Sequence, residues 1–272
     1  SKSCGGISLA LAGSALGTFP ILLYGSDEQK KKYLPDIAAG KDLTAFGLTV
    51  ANAGSDALGM KTTARKDGDH YVLNGTKQWI TNGENARLYT VLAKTNPAKG
   101  ARGISAFVVE KGTPGFSFGK HEDKMGIRAS STTELVFQDV KVPAENLLGR
   151  EGQGSIIAIN TLNYSRPGVG AQALGIAAGA LEDATRYSRE RVQFGQSISS
   201  FQAVQHMLAD MATQVEAARA LLYATARTID AGEKRFAKES AMTKLLCSDV
   251  AMKVTVDAVQ VMGGYGYMRE YP

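Results

Sequence analysis

The 272-residue sequence is 44% hydrophobic and 21% charged, which is typical of a globular protein large enough for two packed layers or domains. Its formal charge of +5 comes from lysines and arginines spread along the chain, so no basic stripe indicates a nucleic-acid groove. We expect no membrane insertion, because no apolar run approaches the roughly 20 residues of a membrane span. We expect no metal site, because the two cysteines and three histidines show no metal-ligand spacing.

Cysteine usage also bears on the compartment. Cys4 and Cys247 are far apart and form no disulfide framework, which favours a reducing environment. The first residues have neither the pattern of a signal peptide nor that of an Arg-rich transit segment. We expect a cytoplasmic protein if the source is bacterial, and a mitochondrial matrix protein if it is eukaryotic.

Residues 1–41 are predicted to be helical. The run Ser26-Asp27-Glu28-Gln29 predicts a capping box, in which the Ser26 hydroxyl accepts from the Gln29 amide while Gln29 reaches back. Pro35 is expected to kink or shorten the helix that follows, and Gly40 is expected to end it.

Residues 42–150 are predicted to form a β domain. Short β-rich runs recur between turn signals, at Leu43–Val50, Tyr71–Leu73, Leu88–Ala93, Ile104–Val109, Phe116–Phe118 and Thr133–Val142. Asp67-Gly68 and Asn74-Gly75 are typical of tight hairpins, because glycine adopts positive φ without steric cost. We predict an antiparallel sandwich or barrel rather than alternating β and α units.

Residues 151–272 are predicted to form a C-terminal antiparallel helix bundle, which makes the fold class α+β. Apolar positions from Phe201 to Ile229 recur at steps of three and four. A second series has the same spacing, at Ala241, Leu245, Ser248, Met252, Thr255, Val259 and Met262, with Val250, Val254 and Val261 on another face. We expect this second helix to be buried on both sides, as at an oligomer interface.

Spacing alone assigns no chemistry. The sequence shows no nucleophile–base pair, carboxylate pair or Walker loop, and the glycine-rich run Gly149–Gly154 is not a G-x-G-x-x-G motif. That run also joins a β segment to a helix outside any βαβ unit, so a dinucleotide-binding interpretation is poor. These patterns favour an oligomeric α+β protein without naming its activity.

An ordered series of motifs extends the interpretation. The motifs are Tyr24–Lys30, Phe46–Thr49, Ala53–Asp56, Leu73–Asn82, Gly103–Phe107, Lys124–Arg128, Gln172–Gly175, Arg191–Gly195 and Gly263–Tyr267. Each one alone is ordinary, since a glycine after an apolar helix commonly closes its C-terminus. In this order, over nearly the whole chain, they resemble the acyl-CoA dehydrogenase family, closest to its short-chain, butyryl-CoA type.

The resemblance implies a site for FAD. In the β domain, the residues that match cofactor contacts are Phe46, Leu48, Thr49, Gly54, Ser55, Trp79 and Thr81. The first three match residues that line the isoalloxazine ring, and Trp79 and Thr81 match residues beside the hydride-accepting nitrogen. In the helical segment, Arg191, Phe194, Gln260, Gly263 and Gly264 match residues that reach the FAD of a neighbouring subunit. Without the resemblance, Trp79 would be interpreted as a half-buried strand aromatic.

The resemblance also implies substrate contacts and two local departures. Ser55 matches a residue near the thioester, and Arg166 matches one that contacts the CoA moiety. Asn163 stands where the family commonly has an aspartate, so a hydrogen bond at the substrate end is expected to differ. The family usually has Thr-Glu-Pro where this chain has Thr49-Val50-Ala51, so the local loop geometry is expected to differ as well.

No catalytic residue is assigned within residues 1–272. In the short-chain branch the catalytic glutamate lies in a Tyr-Glu-Gly-Thr segment, which we expect beyond residue 272. Other branches place the base at the position of Ser165, which carries no carboxylate. The resemblance therefore implies a chain truncated at both ends.

The implied activity is FAD-dependent α,β-dehydrogenation of a short acyl-CoA to the trans-2-enoyl-CoA, by a homotetramer that passes electrons to electron-transferring flavoprotein. Two alternatives remain open at this point. One is a flavoprotein module that binds FAD and acyl-CoA without turnover, which a natural stop after Pro272 would support. The other is an acyl-CoA oxidase, which oxygen reactivity of the reduced flavin would identify.

Overall fold

The computed structural model describes residues 1–271, which divide into two compact units. One unit contains Leu9–Ser165, and the other contains Ser1–Ser8 together with the chain from Arg166 onward. Both divisions fall inside helices, because α1 spans Gly5–Tyr24 and α3 spans Gly154–Glu190. The boundaries expected after residues 41 and 150 fall instead between helices and strands, and they stay a prediction.

The Leu9–Ser165 unit is built on an eight-stranded sheet. Its strands are β1 Thr44–Gly47, β2 Thr63–Asp67, β3 His70–Thr81, β4 Leu88–Lys94, β5 Ile104–Glu110, β6 Phe116–His121, β7 Thr132–Pro143 and β8 Leu147–Leu148. The order is β6-β7-β3-β2-β4-β5-β8, with β1 on β4. All pairings are antiparallel except β1 with β4 and the short contact of β2 with β4. The α+β class with an antiparallel sheet is confirmed.

One of the two predicted hairpin turns is confirmed and the other is wrong. Asp67 pairs with His70 across a tight turn in which Gly68 has a φ of 61°. Asn74-Gly75 lies inside β3, which is much longer than predicted, and Gly75 has a φ of 124° beside a register shift. A methyl group at Gly75 would lie 2.9 Å from the Cα of Thr62, so this glycine accommodates a bulge rather than a turn.

Helix α1 contradicts the expectation that no apolar run approaches 20 residues. It has 20 residues, and its most apolar 18-residue stretch has a mean hydropathy of 1.7, so it is long and apolar enough to cross a membrane by length and composition alone. The apolar character of α1 is not obvious in the sequence, because glycines, alanines and serines separate its aliphatic residues without adding charge. Side chains of the sheet and of the turn after β3 nevertheless donate to its carbonyls, from Thr90 Oγ1 to Gly17 (3.0 Å) and from Asn82 Nδ2 to Ala10 (3.0 Å). These contacts explain α1 as a helix packed on the sheet.

Helix α2, Asp27–Ala38, begins as predicted. The Ser26 amide donates to Gln29 Oε1 (2.8 Å), and the Gln29 amide donates to Ser26 Oγ (3.2 Å), which completes the capping box. Pro35 lies inside the helix, which ends three residues later, before Gly40 at a φ of 71°.

The second unit is a helical bundle of α3 from Arg166 onward, α4 Gln202–Asp230 and α5 Ala237–Met262, with a small hairpin of β9 Val192–Gln193 and β10 Gln196–Ser197. Thr225 Oγ1 lies 2.7 Å from Thr243 Oγ1, and Cys247 Sγ lies 3.8 Å from the Ala218 carbonyl oxygen. The contact residue on α4 falls from 225 to 218 as the one on α5 rises from 243 to 247, so these two helices are antiparallel, as predicted.

Of the two apolar faces predicted for α5, one packs into the bundle core. The buried residues are Ser240, Thr243, Cys247, Val250, Val254, Ala258, Val261 and Met262. Leu245 and Met252, which belong to the other predicted face, are 60% and 67% exposed in the single chain. Small and β-branched side chains let α5 approach α4 closely, so they face the bundle core while longer apolar side chains point outward.

Candidate functional site

The first group of predicted site residues lies where β1 ends. Phe46, Leu48 and Thr49 are half-buried, and the main chain after β1 is tied to β3 by two hydrogen bonds. The Gln78 amide donates to the Thr49 carbonyl (2.9 Å), and Lys77 Nζ donates to the Leu48 carbonyl (3.0 Å). The segment 46–49 is therefore held from behind by consecutive residues of one strand.

The same strand presents Trp79 through a bulge. The β3–β7 register shifts between Lys77 and Ile80, and Trp79 takes a φ of 56°, which is uncommon for a non-glycine residue. Bulges redirect side chains, and here the indole is 60% exposed next to Gln78, the residue that holds Thr49. Thr81 ends the strand half-buried. The structure thus brings Trp79 and the segment 46–49 together.

The loop after Thr49 carries the remaining residues of this group. Val50 and Ala53 form an isolated bridge, after which Gly54 and Ser55 are exposed. Val50 is only 6% exposed and belongs to the hydrophobic core, which explains why an apolar residue stands where the family has glutamate. The departure from the family pattern is therefore accommodated by packing.

The second group lies in the bundle unit. Arg191, Gly263 and Gly264 line one pocket of about 410 Å³, together with Tyr187, Gln193, Ile198, Val261, Met262, Tyr265 and Met268. The Arg191 guanidinium lies 5.5 Å from the centre of the Tyr265 ring, a cation–π distance that orients it. A methyl group at either glycine would meet no atom within 4 Å, so the main chain there is open to a ligand.

The other predicted residues of the bundle unit flank this pocket. Gln260 is exposed in the last turn of α5, and its carbonyl accepts from the Gly263 amide. Phe194 is 93% exposed at the β9–β10 turn, with a φ of 52°, and packs edge-on against Phe201 at 6.0 Å. Such an exposed aromatic at a strained position is typical of a contact surface.

The predicted substrate residues are separated by the division between the units. Ser55 and Asn163 belong to the Leu9–Ser165 unit, and Arg166 belongs to the bundle unit. Asn163 and Arg166 are both half-buried residues of α3.

Lys77 is a buried residue next to this site that was not predicted as a site residue. Its side chain is fully buried, and burial lowers the pKa of its ammonium to about 7. The alternation of side chains along β3 indicates its burial, because Lys77 is four residues from the buried Leu73 and points to the same face of the strand. A lysine in that position is normally expected to face solvent.

Three domain models of one enzyme family match nearly all of the chain. The acyl-CoA dehydrogenase N-terminal, middle and C-terminal domain models match residues 1–41, 45–140 and 152–272, respectively.

Individual relatives are similar over the same length. The short-chain-specific acyl-CoA dehydrogenase of Megasphaera elsdenii is 53% identical over 98% of this chain and 70% of its own. The structure of butyryl-CoA dehydrogenase from that organism superimposes with a TM-score of 0.98, covering 100% of this chain and 71% of its own at 53% identity. A chain in a structure of the electron-transferring flavoprotein of Acidaminococcus fermentans has a TM-score of 0.96 and 55% identity, over 98% of this chain and 70% of its own.

Proposed function

We propose, since this chain belongs to the acyl-CoA dehydrogenase family, that it catalyses FAD-dependent α,β-dehydrogenation of a short acyl-CoA thioester to the trans-2-enoyl-CoA. The observation that carries the proposal is the β3 bulge, which holds an exposed Trp79 beside the main chain of Thr49. An aromatic face next to hydroxyl and main-chain groups suits a planar, hydrogen-bonding ring such as isoalloxazine.

The residues of the bundle unit fit the phosphate part of an FAD that is held by a neighbouring subunit. Arg191 offers a guanidinium fork suited to phosphate oxygens, and Gly263 and Gly264 expose main chain that a pyrophosphate can approach closely. When bound, FAD would supply the acceptor for the hydride that leaves the β-carbon of the substrate. Phe46, Leu48, Thr49, Gly54, Trp79 and Thr81 would hold and orient its ring. The bundle residues of a neighbouring subunit would contact the same cofactor, namely Arg191, Phe194, Gln260, Gly263 and Gly264.

Ser55 would lie near the thioester, and Asn163 and Arg166 would contact the substrate and its CoA arm. Ser165 has a hydroxyl in place of a carboxylate, so no residue of this sequence is assigned as the base. Chain-length preference is the least constrained part of the proposal, because each methylene in an apolar pocket is worth only about 1–3 kcal/mol. Flavin reduction across a panel of acyl-CoAs tests it, and preference for long-chain or aromatic thioesters over butyryl-CoA would overturn the short-chain assignment.

FAD content tests the first requirement of the proposed function, which is that the protein binds this cofactor. The protein expressed from the complete reading frame should purify with bound FAD, or should bind FAD stoichiometrically when it is added. Protein that is folded by circular dichroism yet cannot be reconstituted with FAD would contradict the proposed function.

We also propose electron-transferring flavoprotein as the electron acceptor, in the bacterial cytoplasm or the mitochondrial matrix. The support is the similarity to a chain in the Acidaminococcus structure. Reduced protein should transfer electrons to added electron-transferring flavoprotein faster than to dioxygen, whereas faster reaction with dioxygen would favour an oxidase.

A homotetramer is proposed from α5. Its outward face carries an apolar stripe of Met242, Leu245, Met252, Val256 and Val259, each at least 46% exposed. Their spacing of three, seven, four and three residues places them on one side of the helix, and an apolar stripe of this length marks an interaction surface.

Charge placed in this stripe should break the assembly. We expect Leu245→Glu combined with Met252→Glu to reduce the mass measured by light scattering, because burying two unpaired carboxylates at an interface is costly. The matched control is Lys244→Glu, since Lys244 is an exposed neighbour outside the stripe. If the double variant keeps the wild-type mass, α5 is not part of the subunit interface.

Arg191 should contribute to FAD affinity more than to folding. Arg191→Met is expected to weaken FAD binding about 10- to 100-fold, because a charge-assisted hydrogen bond contributes about 1.5–3 kcal/mol. Fluorescence titration of the apoprotein measures the affinity, and thermal unfolding should change little because Arg191 is exposed. Arg189→Met is the control, since Arg189 lines a different pocket of the bundle. Equal losses in the two variants would indicate a general charge effect.

A further inference from the structure

Lys77 is a fully buried cation without a carboxylate partner among the described residues. Its ammonium donates to the Leu48 carbonyl (3.0 Å), and its second contact is the weak acceptor Met60 Sδ (3.7 Å). Removing a lysine ammonium from water costs free energy, and only one strong hydrogen bond offsets that cost here. Any functional role of Lys77 must therefore act through its bond to Leu48.

The surrounding residues leave room for this side chain. Gly47 ends β1, and a methyl group there would lie 3.3 Å from Lys77 Cγ, closer than ordinary packing allows. Leu135 is opposite Lys77 in the β3–β7 register and is also fully buried. The absence of a side chain at Gly47 and the aliphatic side chain of Leu135 leave space for the lysine stem to reach the carbonyl of Leu48.

We propose that Lys77 is a positioning residue of the flavin site, whose ammonium fixes the Leu48 carbonyl and thereby holds the segment 46–49 against β3. This inference rests on the proposed function, because the ring-lining role of the segment belongs to that proposal. Three consecutive residues of β3 then have separate roles. Lys77 holds Leu48, Gln78 holds Thr49, and Trp79 is exposed on the bulge. One strand thus supports both groups of residues proposed to contact the ring.

The charge state of Lys77 is open to change near neutral pH, because burial alone lowers its pKa to about 7. The elements packed against its side chain present Gly47, Met60 and Leu135, none of which is charged. Charged groups near the bulge are on or beside β6. Glu122 accepts from Gln78 Nε2 (3.1 Å) and pairs with Lys120 (3.4 Å), while His121 lies opposite Thr133 in the register.

Lys77→Met removes the ammonium and retains a similar unbranched shape, so the fold is expected to survive. Lys66→Met is the matched control, because Lys66 is an exposed lysine of β2. Trp79 is the only tryptophan of the sequence and lies two residues from Lys77, next to the residue that donates to Thr49, so its emission reports on this region even without flavin. His121→Gln is a second control, because it removes the imidazole that lies opposite Thr133 in the β6–β7 register.

We expect Trp79 emission of the wild-type apoprotein to change with a midpoint near pH 7, and the change to persist in the Lys66 and His121 variants but to be absent in Lys77→Met. We also expect Lys77→Met to bind FAD about tenfold more weakly, with an absorption spectrum of the bound flavin that no longer varies across neutral pH.

Unaltered FAD affinity together with an unaltered pH profile in Lys77→Met would overturn the proposal. If Lys77→Met does not fold, the pH dependence of Trp79 emission in the wild type tests the proposal instead. A wild-type profile that is flat, or a pH dependence that disappears in His121→Gln, would overturn the proposal. A wild-type protein that binds no FAD but still shows the Lys77-dependent emission would refute the proposed function, while it would support the positioning of the segment by Lys77.

Discussion

Gly17→Ala is expected to lower the free energy of unfolding by about 3 kcal/mol, because overpacking a tight contact typically costs 1–3 kcal/mol and occasionally more. A methyl group at Gly17 would lie 2.5 Å from Thr44 Oγ1 and 2.8 Å from both the amide nitrogen and the carbonyl oxygen of Ala45. Two of these three atoms are main chain, which cannot rotate away. Helix α1 must therefore move off β1, the strand that leads into the segment 46–49.

Gly168→Ala is the matched control for this change. Gly168 is an exposed residue inside α3, and a methyl group there would meet no atom within 4 Å. It should stabilise the protein by about 0.5–1 kcal/mol, because alanine is the better helix former. Denaturant unfolding followed by circular dichroism measures both variants. Equal stability of Gly17→Ala and wild type would show that α1 does not approach β1 as closely as described.

The pH dependence of stability should separate the wild type from Lys77→Met by several kcal/mol. Burial lowers the pKa of folded Lys77 to about 7, below the ordinary lysine value of 10.5. Between these values the unfolded chain binds more protons than the folded protein, so the wild type gains stability as pH rises. One fully shifted group gives a slope of at most about 1.4 kcal/mol per pH unit.

The comparison is made as the difference between the two unfolding free energies at each pH. Other groups titrate equally in both proteins, including Tyr71, whose pKa burial raises to about 12, so they cancel in the difference. Lys77→Met should be the more stable protein at pH 7 and below, and its advantage should shrink steadily toward pH 10. Parallel curves would mean that Lys77 is not buried as a weakly partnered cation.

Local patterns predicted the features that depend on neighbouring residues. The Ser26 capping box and the Asp67-Gly68 turn are set by side chains within four positions of each other, and both formed as expected. Asn74-Gly75 has the same local signature but lies inside β3, because pairing with β7 on one side and β2 on the other outweighs turn propensity.

Features that depend on distant partners were not predictable. Periodicity identified α5 as a helix with two apolar faces but could not decide which faces the core, since close approach to α4 favours Val250 and Val254 over the larger Leu245. Alternation along β3 indicates that Lys77 points to the same face as Leu73, but the space and the acceptor that allow a lysine to be buried there come from Gly47 and Leu48, about 30 positions earlier. The site residues themselves came from family resemblance, since their residue types suggest no chemistry without the fold.

Anaerobic titration with butyryl-CoA tests the central claim most directly. The flavin-loaded protein from the complete reading frame should lose its oxidised-flavin absorbance in proportion to added butyryl-CoA, with formation of the trans-2-enoyl-CoA product. Added electron-transferring flavoprotein should restore the absorbance. A protein that binds both FAD and butyryl-CoA, yet keeps its oxidised spectrum and forms no enoyl-CoA, would contradict the assignment as a dehydrogenase and favour a binding module.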